Sequence, residues 1–116
     1  LAGARTLEVA LDKIAGGWKL DLEKLFSACT ARTKVILVTT PSNPTGWVMS
    51  RAEMRAVLDF ARDRDIWVLS DEVYGRLTFD ETHAPSFLDV AEPTDRLYIV
   101  NSFSKSWAMT GWRLGW

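Results

Sequence analysis

Val35-Ile36-Leu37-Val38, then Ser50-Arg51-Ala52-Glu53-Met54, then Ile66-Trp67-Val68-Leu69: the stretch from 35 to 69 decides the fold. The first run is continuous, apolar and rich in β-branched residues, the signature of a strand covered on both faces. Ser50 with Glu53 three residues later reads as a capping box. Met54, Val57, Leu58 and Ala61 follow at helical spacing, so the pattern predicts an amphipathic helix to about Asp65. Arg55, Asp59, Arg62 and Asp63 then form its solvated side. A second apolar strand, Ile66 to Leu69, arrives directly after the helix. Strand, helix and strand at this spacing make a βαβ unit, which implies parallel pairing and a right-handed crossover. The fold class is α/β.

Towards the C-terminus, Leu97-Tyr98-Ile99-Val100 reads as a third buried strand. The connection from Asp71 to Arg96 is too long for a turn and too apolar for disorder. It predicts a short helix around Ser86 to Val90, between Pro85 and Pro93. His83, in the same connection, reads as a surface or rim residue. After the third strand comes Ser102-Phe103-Ser104-Lys105-Ser106-Trp107-Ala108-Met109-Thr110-Gly111-Trp112-Arg113. Strand ends of open α/β sheets are where ligands bind. A lysine there offers a primary amine for a Schiff base, and an arginine offers a rigid charged fork suited to phosphate. Amine, hydroxyls and arginine together point to an aldehyde-bearing phosphate cofactor, pyridoxal phosphate.

Towards the N-terminus, Arg5 to Leu11 alternates enough to predict a strand, followed by a turn at Gly16-Gly17. Asp21 is placed as an N-cap, and Leu22, Leu25, Phe26 and Cys29 follow along one helical face. Cys29 is thereby a small apolar core residue, and as the single cysteine it forms no internal disulfide. Fourteen basic and fifteen acidic residues leave a net charge of −1, with no footprint for nucleic acid or a membrane surface. No metal-ligand cluster, signal peptide or membrane span is visible, and the expected compartment is the cytoplasm. The chain opens on Leu1 and closes on the apolar Arg113-Leu114-Gly115-Trp116, where another strand is expected to start. It reads as an internal fragment.

Three strands thus end in three polar clusters: Asn43, then Asp71 with Tyr74, then Lys105. A parallel sheet sets such ends along one edge, so the clusters converge on one crevice. Each also has a plain structural reading: Asn43-Pro44 as a turn, Asp71 as an N-cap, Tyr74 as a packed aromatic with its hydroxyl at the surface. Taken together they suit the cofactor. A carboxylate (Asp71) favours a protonated pyridine nitrogen. An amide (Asn43) and a phenol (Tyr74) can hold the ring oxygen. Lys105 supplies the amine, while Arg113, Ser102 and Ser104 can hold the phosphate. The tryptophans at 47, 107, 112 and 116 identify no substrate.

Asn43-Pro44-Thr45-Gly46, Ser70-Asp71-Glu72-Val73-Tyr74 and Ser102-Phe103-Ser104-Lys105 through Gly111-Trp112-Arg113-Leu114-Gly115 resemble, in order and spacing, the class I/II aminotransferases of pyridoxal-phosphate fold type I. The wording Ala108 to Arg113 leans towards their aspartate and aromatic branch. The resemblance implies a mixed, mainly parallel sheet with flanking helices, and places residues 1–116 in part of the large, cofactor-binding domain. It implies Lys105 as the Schiff-base lysine, Asp71 at the pyridine nitrogen, Asn43 and Tyr74 at the ring oxygen, and Val73 against one ring face. It implies Ser102, Ser104 and Arg113 at the phosphate, with Lys105, Asp71 and Tyr74 carrying the catalysis. It also makes Asn43–Pro44 a candidate cis bond. The expected partners are an amino acid and a 2-oxo acid, in a homodimer, with the remaining site residues outside these limits and the fragment inactive and poorly folded alone. A β-eliminating lyase on the same fold, or a cofactor-sensing domain of a transcription regulator, would use the same residues.

Overall fold

The computed structural model describes residues 3–79 and 82–116. Among them the chain forms five strands and three α-helices: β1 (Asp12–Ile14), β2 (Gly17–Lys19), α1 (Leu22–Ala28), β3 (Val35–Thr39), α2 (Arg51–Asp63), β4 (Trp67–Asp71), β5 (Leu97–Val100) and α3 (Phe103–Ser106). β3, β4 and β5 make a parallel sheet in that order, and β1 and β2 a separate hairpin. The βαβ unit and the α/β class are as expected. No helix among the described residues is long and apolar enough to cross a membrane.

Local chemistry sets the element boundaries. The Asp21 side chain accepts from the Lys24 amide and opens α1. Ser50 and Glu53 form the reciprocal capping box that opens α2. α2 ends at Asp63, two residues earlier than its apolar pattern suggests. There Asp65 takes a left-handed φ of 59°, and the Ile66 and Asp65 amides bond back to Ala61 and Arg62. That is a Schellman-type stop, with Ile66 buried beneath it.

Met54, Val57, Leu58 and Ala61 of α2 are buried against Ile36 and Val38 of β3, Val68 of β4, and Ile66, Met49 and Phe87. α1 joins through Phe26, whose ring stacks on Phe60 at 4.1 Å. Cys29 packs partly buried against the same core. The expected helix between Pro85 and Pro93 is a single 3₁₀ turn, Phe87–Asp89, opened by a reciprocal capping box of Ser86 and Asp89. His83 is exposed.

Two expectations need correction. Arg5 to Leu11 forms no strand, since a strand needs a partner for its ladder. Here the turn, with Gly16 at φ 88°, pairs only its immediate flanks, Asp12–Ile14 with Gly17–Lys19. β3 and β5 are covered on one face only. Leu37 is 64% exposed and Tyr98 61%, and Val35, Trp67 and Val100 lie open on the same side, away from α2. Where a strand was expected to start, Leu114 to Trp116 pairs antiparallel with Asn101 to Phe103, the segment that directly follows β5, through a single bridge.

Candidate active site

Register brings the polar clusters to one edge. Thr39, Asp71 and Val100 sit side by side at the C-terminal ends of β3, β4 and β5. The ladder runs on past them: the Thr40 amide donates to Asp71 O at 3.0 Å, and the Glu72 amide to Val100 O at 2.9 Å. The segments after each strand therefore leave from one level.

The first is a closed loop. Thr40 Oγ1 accepts from the Met49 amide at 2.9 Å, with both residues fully buried. Inside this closure Ser42 bonds to Trp47 O and Gly46 to Ser42 O, with Gly46 at φ 70°. The Thr40–Pro41 and Asn43–Pro44 peptides are both cis; the second matches the expectation, and the first was not foreseen. The loop presents the Asn43 amide, whose Nδ2 donates to the Tyr74 hydroxyl at 3.1 Å.

The second segment is a tight turn. Asp71, partly buried, accepts the Val73 amide at 3.1 Å through Oδ1. Its capping role is real, but it caps a turn rather than a helix. Gly75 N bonds to Glu72 O and Leu77 N to Tyr74 O.

The third is α3. Ser102 caps it, accepting from the Ser104 amide at 3.1 Å while its own hydroxyl donates to Leu114 O at 3.2 Å. Ser104 is buried. Lys105 is exposed, and its Nζ lies 5.8 Å from the Tyr74 ring centroid. Asn43, Tyr74 and Lys105, one from each strand end, thus meet in space, with Asp71 at the base of the central turn.

Arg113 is exposed, at a left-handed φ of 51°, and its Nη1 donates to Thr110 O at 2.8 Å. The returning ribbon sets it in sequence beside Leu114, the partner of Ser102. Gly115 makes that ribbon possible, because a Cβ there would stand 2.6 Å from Asn101 O. Phe103, Trp107 and Trp116 pack together outside it, with the Arg76 guanidinium 5.2 Å from the Trp107 ring. Trp47 lies elsewhere. With Trp18, Thr45 and Gly46 it lines an open cleft of about 410 Å³ between the hairpin and the Asn43 loop.

Sequence reasoning missed Glu72. Only 5% exposed, its Oε1 accepts from Ser70 Oγ and from the Phe87 amide, both at 3.0 Å. Period-2 alternation was the available signal: residues 68, 70 and 72 share the covered face, so a serine and an acid there needed each other as partners.

Asn43, Tyr74 and Lys105, together with Asp71 at the base of the turn, offer an amide joined to a phenol, an amine and a carboxylate, a set chemically suited to pyridoxal phosphate. Arg113 is engaged with Thr110 O and Ser102 with Leu114 O. Comparison with known proteins agrees. The family described as aminotransferase class I and II matches residues 1–116. An aspartate aminotransferase of Streptomyces avermitilis is 38% identical over all of this chain and 28% of its own length. The structure of N-succinyldiaminopimelate aminotransferase from Mycobacterium tuberculosis superposes with a TM-score of 0.91 at 34% identity, over 99% of this chain and 30% of that one. A PLP-dependent aminotransferase from Streptococcus suis gives a TM-score of 0.73 at 37% identity, over 88% of this chain and 26% of that one. This chain thus spans somewhat under a third of the length of the relatives it matches, and it belongs to the class I and II aminotransferase family.

Proposed function

We propose that the full-length protein transfers an amino group from an amino acid to a 2-oxo acid with pyridoxal phosphate, and that residues 1–116 form part of its large, cofactor-binding domain. The observation that carries this reading is the meeting of Asn43, Tyr74 and Lys105 from three separate strand ends. Bound, the cofactor supplies an electron sink for negative charge at the substrate Cα.

This chain's residues do the rest. The Asp71 carboxylate would favour the protonated ring nitrogen. The Asn43 amide and Tyr74 hydroxyl, already bonded to each other, present donors to the ring oxygen. Lys105 would hold the cofactor through Nζ, and its amine, a primary amine at the strand end, would serve as the base that moves the substrate Cα proton. Val73 would pack against the ring, and Arg113 with the Ser102 and Ser104 hydroxyls would hold the phosphate.

The test uses the full-length protein loaded with pyridoxal phosphate and given single amino acids without an oxo acid. Conversion of the cofactor to its aminated form, with stoichiometric release of a 2-oxo acid, is the expected result, and it identifies the donor. Lys105→Ala should lose the covalent link and nearly all turnover. Release of ammonia in place of stoichiometric amination, or full turnover by Lys105→Ala, overturns the reading.

A further inference from the structure

We propose that Glu72 is a positioning residue: its buried carboxylate clips the Asp71–Tyr74 turn to the backbone of the 3₁₀ segment and so fixes Asp71 and Tyr74 against Lys105. This rests on the cofactor reading above and deepens it. Of the four buried polar or charged residues among those described (Thr40, Ser70, Glu72 and Ser104), Glu72 alone carries an ionisable side chain. Burying a carboxylate is costly unless its lone pairs are filled, and this one receives two donors on one oxygen, Ser70 Oγ and Phe87 N.

The backbone of Glu72 is engaged as well. Its amide donates to Val100 O at the end of β5, and its carbonyl accepts Gly75 N within the turn. A second tie runs parallel to the carboxylate, from Ala84 N to Gly75 O at 2.7 Å. Phe87 is wholly buried in the α2 core, and Asp89 of the same segment pairs with Arg51 at the start of α2. One side chain therefore links the central strand end, the neighbouring strand end and the helical layer. Asp71 precedes it and Tyr74 follows two residues on. Neither can move while the clip holds.

Removing the carboxylate leaves the Ser70 hydroxyl and the Phe87 amide buried without an acceptor. The turn can rehydrate them only by lifting off the 3₁₀ segment, which displaces Asp71 and Tyr74. A glutamine keeps one acceptor oxygen and should preserve the clip.

The experiment compares Glu72→Ala, Glu72→Gln and a control, Val57→Ala, which empties core volume on α2 and removes no hydrogen-bonding atom of the clip. Each is made in the full-length protein. Three quantities are read: the thermal midpoint of the cofactor-free form, the dissociation constant of pyridoxal phosphate, and the pH midpoint of the bound cofactor's visible band. Glu72→Ala should weaken cofactor binding by about tenfold and shift the band's midpoint. Glu72→Gln should restore both. Val57→Ala should lower the thermal midpoint and leave both cofactor quantities unchanged. If Glu72→Ala loses only thermal stability, as Val57→Ala does, the positioning role is overturned while the functional reading stands. If the unsubstituted protein binds no cofactor, the functional reading itself falls. Should Glu72→Ala not fold, Glu72→Asp carries the same comparison, because it keeps the charge but shortens the reach to Phe87 N.

Discussion

Thr40→Val should damage this protein even though it adds hydrophobicity and keeps the side chain's shape. Thr40 and Met49 are both fully buried, and the Met49 amide donates to Thr40 Oγ1 at 2.9 Å. Valine removes the acceptor and strands a buried N–H, at a cost of about 2 kcal/mol, roughly a thirtyfold change in the folding equilibrium. Thr40→Ser keeps the oxygen and loses one methyl group, which costs about 1 kcal/mol. The predicted order is therefore wild type, then serine, then valine, the reverse of what apolar burial alone would give. Urea unfolding of the full-length proteins measures the order. Hydrogen exchange at the Met49 amide locates it, since that proton should be protected in wild type and in Thr40→Ser but exchange fast in Thr40→Val. A Thr40→Val protein as stable as wild type, with a protected Met49 amide, would falsify the account of how the Asn43 loop is closed.

Two further outcomes can be checked in the same material. Asn43→Ala and Tyr74→Phe each remove one end of a 3.1 Å hydrogen bond. In a double-mutant cycle on cofactor affinity the two should couple by about 0.5–1.5 kcal/mol, and strictly additive losses would mean the pair does not act as a unit. Gly115→Ala pushes a Cβ to 2.6 Å from the backbone oxygen of Asn101, which has no flexible end to yield. The ribbon should open at a cost of about 1–3 kcal/mol, releasing Trp116 from Phe103 and Trp107 and weakening cofactor binding. Unchanged affinity and unchanged tryptophan emission would show that the ribbon does not hold Arg113 in place.

What could be read from the chain was what short-range physics dictates. The capping box at Ser50 and Glu53, the N-cap at Asp21 and the spacing of Met54, Val57, Leu58 and Ala61 each depend on neighbours within one or two helical turns, and each appears as expected. The clusters at Asn43, Asp71, Tyr74 and Lys105 were also legible, because a parallel sheet converts strand order into spatial order. Features that depend on distant partners were not. Nothing in Arg5 to Leu11 says whether a neighbouring strand will pair with it, and none among the described residues does. Continuous apolar runs such as Val35 to Val38 suggest cover on both faces, yet α2 covers one. The return of Leu114 to Trp116 onto Asn101 to Phe103 hinges on a close approach at Gly115, which no periodicity announces.

Asp71 and Glu72 are adjacent carboxylates with opposite fates, and register alone divides them. β4 alternates, so Val68 and Ser70 face α2 while Trp67 and Leu69 face away. Asp71 therefore rises on the open side, level with Thr39 and Val100, where the Asn43 loop and α3 also emerge. Glu72 falls on the covered side, beneath Phe87, where its oxygen is filled by Ser70 and the Phe87 amide. A slip of one residue in the β3–β4–β5 register would exchange them. It would bury the acid proposed to meet the cofactor and expose the one proposed to hold the turn. The two adjacent acids are thus proposed for chemistry and for scaffolding, and the pairing of Ser70 with Val38 and Ile99 decides which side each takes. The functional content of this motif is consequently a property of the sheet as much as of its residues.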